Sequence, residues 1–84
     1  MNVELLPQAA GDFQAIAEPL HGRVLKRLEV LGDFPELGSP LNRAFTGYRS
    51  TIVELFRIVY RLRTDGVVEI TFIRDCRRRL PKRP

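Results

Sequence analysis

Apolar and polar positions follow two different periods along the chain, one in each half. Residues 2–6 (NVELL) form a short strand candidate, and Pro7 can occupy the first position of a helix. Apolar side chains then recur at helical spacing as far as Pro19, which marks the predicted helix end. The N-terminal part therefore predicts one strand followed by one short helix.

A second helical pattern occupies residues 21–35 (HGRVLKRLEVLGDFP). The apolar side chains expected on its buried face are Val24, Leu25, Leu28 and Leu31. Gly32 is the predicted stop at the C-terminus of the helix, and Pro35 follows shortly after it. Residues 33–42 (DFPELGSPLN) are predicted to form a loop because Gly, Pro and Ser are frequent there.

The second half of the chain has the two-residue period of β-strands. In residues 55–63 (LFRIVYRLR), apolar side chains alternate with a set that is mostly arginine, which predicts one apolar and one basic face. Residues 67–74 (VVEITFIR) alternate less cleanly and form the next predicted strand. Residues 44–53 (AFTGYRSTIV) are the strand expected before these two.

The linker at residues 64–66 (TDG) sets the register of the last hairpin. If it is a three-residue loop with Gly66 left-handed, Arg61 stands opposite Glu69. This register gathers one apolar set on a single face: Ile58, Tyr60, Leu62, Val68, Ile70 and Phe72. A two-residue Asp-Gly turn would mix arginines into that face, which burial penalises. We therefore predict the three-residue loop.

These elements predict an α+β fold in the order β-α-α-β-β-β, with a two-helix hairpin packed on one face of an antiparallel sheet. The other face is left open. The arginines expected on this open face are Arg49, Arg57, Arg61 and Arg63. The basic stretch 74–79 (RDCRRR) would extend the same surface. We expect a single domain over residues 1–80 and a basic tail at residues 81–84.

Composition restricts the class of protein. The 84 residues contain no apolar run near the roughly 20 residues that span a membrane, and the N-terminus has no signal-peptide pattern. Cys76 is the only cysteine, which excludes an intrachain disulfide and fits a reducing cytoplasm. One Cys, one His and scattered acids give no metal-ligand set, so no cofactor is expected. We expect a cytoplasmic protein without membrane contact.

The net charge of +4 is unevenly distributed along the chain. Residues 1–42 carry three basic and six acidic side chains, net −3, whereas residues 43–84 carry eleven basic and four acidic ones, net +7. Twelve of the fourteen cations are arginine, whose planar fork suits bidentate phosphate recognition. The basic half therefore predicts a polyanionic partner, with nucleic acid as the leading class.

Two motifs, GYRS (47–50) and FRIVYRL (56–62), together with the basic cluster after the last strand, resemble the RelE/ParE superfamily of type II toxin–antitoxin toxins. The resemblance covers nearly the whole chain. It implies a toxin with a cognate antitoxin, which we expect to be acidic where it covers the arginines. RelE-like members cut mRNA in the ribosomal A site, whereas ParE-like members inhibit DNA gyrase.

The resemblance also implies roles for particular arginines. Arg49 and Arg57 match basic residues that contact the region of the scissile phosphate. One of Arg74, Arg77 and Arg78 matches the arginine after the last strand, and Arg77 completes the expected catalytic set. The arginines expected to bind RNA are Arg61, Arg63, Arg74, Arg78 and Arg79.

Two departures from the RelE-type pattern bear on the choice of target. Thr51 stands where these nucleases often place a second basic residue, and Leu80-Pro81 stand where they often place a tyrosine. Attack by the 2′-hydroxyl needs a base for its proton and stabilisation of the phosphorane charge. Arginines meet the second need, but an obvious base is missing.

The remaining candidates for proton transfer have simpler explanations. His21 is better explained by helix capping or solvent exposure. Tyr48 and Tyr60 fall on the core parity, which favours core packing. Arg61 is explained equally well as a solvated partner of Glu69. The sequence leaves a metal-free, ribosome-dependent mRNA endonuclease as the leading hypothesis. A gyrase inhibitor without nuclease activity is the alternative, and a non-toxic nucleic-acid-binding module is a third possibility.

Overall fold

In the computed structural model, which describes residues 2–84, two helices pack on one face of a single five-stranded sheet. The strands are β1 Val3–Leu5, β2 Ser39–Pro40, β3 Arg49–Val53, β4 Phe56–Leu62 and β5 Val68–Asp75. The helices are α1 Pro7–Gln14 and α2 Leu20–Asp33, with a 3-10 turn at Arg43–Phe45. The sheet order is β1-β5-β4-β3-β2, in which only the β1–β5 pair is parallel. The expected α+β architecture is confirmed, with the two-residue edge strand β2 as an addition.

Helix α1 is shorter than predicted, because it ends at Gln14 rather than near Pro19. The ring of His21 stacks on Phe13 with 4.0 Å between centroids. Its Nδ1 lies 3.1 Å from the carbonyl oxygens of both Phe13 and Ile16. Because both partners are acceptors, Nδ1 must carry the proton and donate to them. His21 thus has a structural role, in which it contacts carbonyl groups at the end of α1 from the start of α2.

Helix α2 buries Val24, Leu28 and Leu31 against the sheet, whereas Leu25 is exposed. The expectation that Leu25 belongs to the buried face is therefore wrong. So is the expected stop at Gly32, since the helix continues to Asp33. Phe34 has a non-helical φ of −132°. It precedes a proline, whose ring disfavours helical backbone at the residue before it.

The loop after α2 is fastened by Tyr60 of β4. The buried hydroxyl of Tyr60 donates to the Pro35 carbonyl at 2.7 Å and accepts from the Gly38 amide at 2.8 Å. A β-carbon on Gly38 would lie 2.6 Å from that hydroxyl and 2.8 Å from the Ser50 carbonyl oxygen, so only glycine fits. Burial raises the pKa of Tyr60. Tyr60 is therefore a structural residue, as its parity predicted.

The β4–β5 hairpin has the predicted loop. The Arg63 amide donates to the Val67 carbonyl at 2.9 Å, and Gly66 has φ of +88°, in the left-handed region that favours glycine. Arg61 stands opposite Glu69, as the three-residue loop requires. This part of the register is confirmed.

Further along the hairpin, a β-bulge changes the faces of β5. Tyr60 pairs with Ile70 but its neighbour Val59 pairs with Phe72, which leaves Thr71 as the extra residue. Phe72 is thereby moved to the helix-free face. The prediction that Phe72 lies on the same face as Tyr60 is wrong, because the bulge shifts the register by one residue.

Ile73 takes the place that was expected for Phe72. It pairs with Ile58 and packs in the main core between helices and sheet. Leu62 also differs from expectation, since its position near the end of the strand leaves it 48% exposed. The main core is completed by helix residues such as Ala9 and Leu28.

The helix-free face carries a second, smaller core. Its buried members are Phe45, Val59 and Phe72, and the partly buried side chains packed on them are Leu41, Tyr48 and Leu80. Phe45 comes from the 3-10 turn, which replaces the first half of the strand predicted at residues 44–53. Gly47 follows with φ of +91°, and β3 begins only at Arg49. This face is consequently not fully open, because the turn and the C-terminal segment cover part of it.

Candidate anion-binding site

Two arginines stand side by side on the helix-free face. Arg57 of β4 and Arg74 of β5 are register partners, two residue pairs along from Val59 and Phe72. Partners in an antiparallel pair point to the same side of the sheet, so both guanidinium groups share the side of the second core. Like charges directly opposite each other destabilise a sheet. An anion bound between them would remove that cost.

Neither arginine of this pair has an acidic partner among residues 2–84, in which the ion pairs involve other arginines. The Nε of Arg57 is buried without a hydrogen-bond acceptor. The Arg74 guanidinium lies 5.5 Å from the centroid of the Phe72 ring, a cation–π arrangement. A buried donor without a partner is unfavourable, and a phosphate oxygen would satisfy it.

The hairpin end of the same face is electrically compensated. Arg61 pairs with Glu69 at 2.5 Å, and Arg63 pairs with Asp65 at 2.6 Å and Glu4 at 3.2 Å. The hydrogen bond from Arg63 is the main cause that lowers the pKa of Asp65 to about 2. Arg61 and Arg63, which were expected to bind RNA, are therefore already paired with three carboxylates between them. For Arg61 this is the pairing that the alternative interpretation expected.

The C-terminal turn directly follows β5, so its arginines begin at the same end as Arg74. Arg77 makes two side-chain hydrogen bonds to the Asp75 carboxylate, at 3.0 and 2.6 Å. These bonds are the main reason why the pKa of Asp75 lies well below its usual range. Arg78 and Arg79 are exposed and have no carboxylate partner within the described residues. The turn thus adds unpaired positive charge beside the Arg57–Arg74 pair.

Arg49 does not join this cluster. It is the register partner of Tyr60, so its side chain points to the helix side of the sheet. There it donates to the Gly38 carbonyl at 2.6 Å and to the Glu36 carbonyl at 3.3 Å. The expected position of Arg49 on the face of Arg57 is therefore wrong.

Thr51 lies on the helix side as well. It pairs with Ile58, and its hydroxyl accepts a hydrogen bond from Arg27 of α2 at 2.5 Å. Even a basic side chain at this position would start from the opposite side of the sheet from Arg57. The hydrogen bond from Arg27 to Thr51 could not be predicted from the sequence, because Arg27 lies among other charged residues of α2.

Tyr48 lies with the second core rather than with Tyr60. Its ring meets that of Phe45 edge-on at 6.0 Å, and the Arg61 guanidinium lies 6.0 Å from its centroid. The expected packing role fits this environment, but the expected face is wrong. The reason is again the β3–β4 register, in which Arg49 rather than Tyr48 aligns with Tyr60.

Sequence reasoning missed the second core. A signal was present in two places, since Val59 interrupts the arginines of β4 and the adjacent Phe72 and Ile73 are both apolar in β5. Adjacent apolar residues in a strand indicate that both faces are covered. Leu80, read as a departure from a family pattern, instead packs on this core.

Neither helix of residues 2–84 is long and apolar enough to cross a membrane. Over the same residues, no group of three or more His, Cys, Asp and Glu side chains could hold a metal ion. The chemistry-bearing side chains of the helix-free face are mainly guanidinium groups.

Two helices on one face of a five-stranded sheet, with arginines on the other, define the RelE/ParE class of fold. Residues 3–80 match the family model described as the ParE toxin of the type II toxin–antitoxin system parDE. The chain belongs to this family of toxins of type II toxin–antitoxin systems. A comparison with characterised proteins gave no significant sequence match.

Solved structures of RelE toxins share the fold. The RelBE2 toxin–antitoxin complex of Mycobacterium tuberculosis is 22% identical with a TM-score of 0.80, over 88% of this chain and 95% of that one. The intact RelBE complex of E. coli is 14% identical with a TM-score of 0.75, over 90% and 96%. The isolated E. coli RelE toxin is 14% identical with a TM-score of 0.76, over 92% and 85%. These likenesses establish the fold.

Proposed function

We propose that this toxin is a RelE-like, ribosome-dependent mRNA endonuclease that arrests translation. The observation that carries the proposal is the Arg57–Arg74 pair, which lacks an acidic partner and includes a buried, unsatisfied Nε. Such a pair is arranged to receive an anion with several oxygen acceptors. A phosphodiester of mRNA is an anion of this kind, and the cytoplasmic ribosome would present it.

In this proposal the arginines stabilise charge rather than transfer protons. Attack by the 2′-hydroxyl develops negative charge on the phosphorane oxygens, where Arg57 and Arg74 donate hydrogen bonds. Arg77, Arg78 and Arg79 bind phosphates on either side and so orient the strand. Arg49, held by the carbonyl oxygens of the α2–β2 loop, has a structural role here.

The proton of the 2′-hydroxyl needs an acceptor that this face provides poorly. Asp75 is the nearest carboxylate to the Arg57–Arg74 pair along the strands. Its register partner Phe56 packs on the helix side, so the Asp75 side chain starts from the opposite side of the sheet, and its depressed pKa makes it a weak base. We therefore assign proton transfer to ribosomal RNA or to bound water. This assignment accounts for a nuclease that acts only on the ribosome.

A gyrase inhibitor without nuclease activity is the second candidate. Two observations favour it: the matching family model describes the ParE toxin of parDE, and the weak base at Asp75 matters only for cleavage. In that case the same arginines would bind an acidic protein surface.

The test maps 5′ ends of mRNA on programmed ribosomes incubated with purified toxin, alongside a gyrase supercoiling assay. New 5′ ends with the wild type, lost in Arg57→Ala and in Arg74→Ala, are the expected result. Arg23→Ala removes an exposed arginine on α2 and should cleave like the wild type. Uncut mRNA together with blocked supercoiling would replace the nuclease with the gyrase inhibitor.

A further inference from the structure

A cavity of about 320 Å³ opens on the helix-free face between the 3-10 turn and the C-terminal segment. Its apolar lining comes from Leu41, Ala44, Phe45 and Leu80. The volume falls at the low end of the roughly 300–1,000 Å³ that small-molecule sites occupy. The cavity is therefore large enough for one planar ring system.

The polar part of the lining is cationic. Arg43, Lys82 and Asn42 also line the cavity, and no acidic residue does so. Neither cation has a carboxylate within 4.0 Å among residues 2–84. An apolar ring with an anionic flank and a hydrogen-bonding edge fits this combination, since an amide both donates and accepts.

The backbone that carries Arg43 is strained. Its φ of +56° lies in the left-handed region, which a side chain with a β-carbon disfavours. Two hydrogen bonds of the 3-10 turn hold this conformation, Phe45 N to Asn42 O at 3.0 Å and Thr46 N to Arg43 O at 3.1 Å. Strain of this kind is found at binding sites when the surrounding structure enforces it.

The second core connects the cavity with the Arg57–Arg74 pair. The Arg74 guanidinium lies over Phe72, whose ring meets Phe45 edge-on at 6.1 Å, and Phe45 forms part of the cavity floor. These contacts through the second core place the cavity and the arginine pair on the same side of the sheet.

We propose that this cavity binds an unstacked base of the single-stranded RNA held by Arg57 and Arg74, with Arg43 and Lys82 on the flanking phosphates. Single-stranded RNA is recognised through splayed bases that lie on aromatic and apolar side chains. Asn42 would contact the edge of the base and so give a preference for base identity. This inference rests on the proposed function, because it takes RNA as the ligand.

The test measures binding of a short labelled single-stranded RNA, and of a series of the same RNA with one abasic position each. Ala44→Leu fills the cavity from an exposed position, and Ala17→Leu adds the same atoms in the α1–α2 linker as a matched control. We expect Ala44→Leu to weaken binding about tenfold, because one stacked base is lost. Ala17→Leu should bind like the wild type.

The abasic series decides whether the loss arises in the cavity. One abasic RNA should bind the wild type about tenfold more weakly, and Ala44→Leu should show no further loss on that RNA. Lys82→Ala should reduce both the affinity and its salt dependence, and it decides the matter if circular dichroism shows that Ala44→Leu does not fold. Equal binding of every abasic RNA by the wild type, or no RNA binding at all, would overturn the inference.

The ribosome assay keeps this inference separate from the proposed function. A wild type that cleaves mRNA but ignores the abasic positions would overturn the cavity assignment alone. A wild type that binds the RNA series selectively but leaves ribosome-bound mRNA intact would overturn the nuclease and retain the cavity. If Ala44→Leu loses only antitoxin binding, the cavity belongs to the antitoxin and the inference is wrong.

Discussion

Arg57 and Arg74 face each other across β4 and β5 without a carboxylate to balance their charges. Arg61, on the same strand as Arg57 and the same side of the sheet, is paired with Glu69. The helix-free face therefore has two different ends. At the Arg57–Arg74 end the positive charges repel each other, and at the Arg61 end the positive charge is neutralised by a carboxylate. A bound anion would stabilise the Arg57–Arg74 end and would have little effect on the Arg61 end.

This contrast predicts opposite stability effects for two matched substitutions. Arg57→Gln should leave the free energy of unfolding unchanged or raise it by up to about 1 kcal/mol, because it removes a like-charge pair. Arg61→Gln should lower it, because Glu69 would lose its partner while its side chain remains 11% exposed. Urea denaturation at low salt measures both. A clear loss of stability in Arg57→Gln would contradict the assignment of that repulsion.

The same Arg57→Gln variant should lose activity. Removal of one donor that stabilises a developing oxyanion typically costs about 100- to 1,000-fold in rate. Binding to ribosomes should weaken much less, because the charge appears mainly in the transition state. Comparing cleavage rates at saturating toxin with ribosome affinity checks this. An equal loss in both would indicate a binding role only.

The C-terminal arginines should set the salt dependence of binding. Replacing Arg77, Arg78 and Arg79 together by Gln should flatten the plot of log affinity for ribosomes against log salt, because fewer counterions are released. Each phosphate contact with a single strand contributes about 0.7 to the slope. The affinity is measured between low and moderate salt. An unchanged slope would show that these side chains are solvated and make no phosphate contacts.

The hairpin register could be predicted from the sequence because local chemistry determines it. Gly66 can take the left-handed backbone that a three-residue loop needs, and the alternative register would bury arginines. The position of Arg49 could not be predicted in the same way. It depends on the two-residue turn at Glu54, which has φ of +54° and is neither Gly nor Asn. That turn pairs odd-numbered with even-numbered residues, so Arg49 aligns with Tyr60.

The bulge at Thr71 also could not be predicted from the sequence. Phe72 and Ile73 are both apolar, so either could occupy the main core. Phe72 is covered by Phe45, from far earlier in the chain, and by Leu80 of the C-terminal segment, and the period of the strand shows neither contact. The basic cluster was correctly placed near the end of the last strand, but its balance of charge depended on which carboxylates the fold brings close.

Asp65 should make the free energy of unfolding depend on pH in the acidic range. Its pKa is about 2 in the folded protein against a reference value of 3.8, mainly because Arg63 donates to it. A carboxyl whose folded pKa is depressed stabilises the fold above the unfolded value, and this contribution disappears as pH falls from about 4 to about 2. Asp65→Asn should flatten the stability curve in that window. Identical curves for wild type and Asp65→Asn would contradict the pairing.

Leu80 should act as the anchor of the C-terminal turn. It packs on the cluster of Phe45, Val59 and Phe72, and so fixes the end of the segment that carries Arg77–Arg79 on the helix-free face. Leu80→Ala should lower the affinity for ribosomes and reduce the salt slope, because the arginines would no longer be held in place. Leu80→Met should keep the wild-type affinity and salt slope, since it preserves apolar volume. The free energy of unfolding should fall by less than the roughly 2–5 kcal/mol of a fully buried leucine, because Leu80 is only partly buried.

If Leu80→Ala binds with wild-type affinity and slope, the turn is held by other contacts. A similar defect in Leu80→Met would point instead to a specific contact made by the leucine.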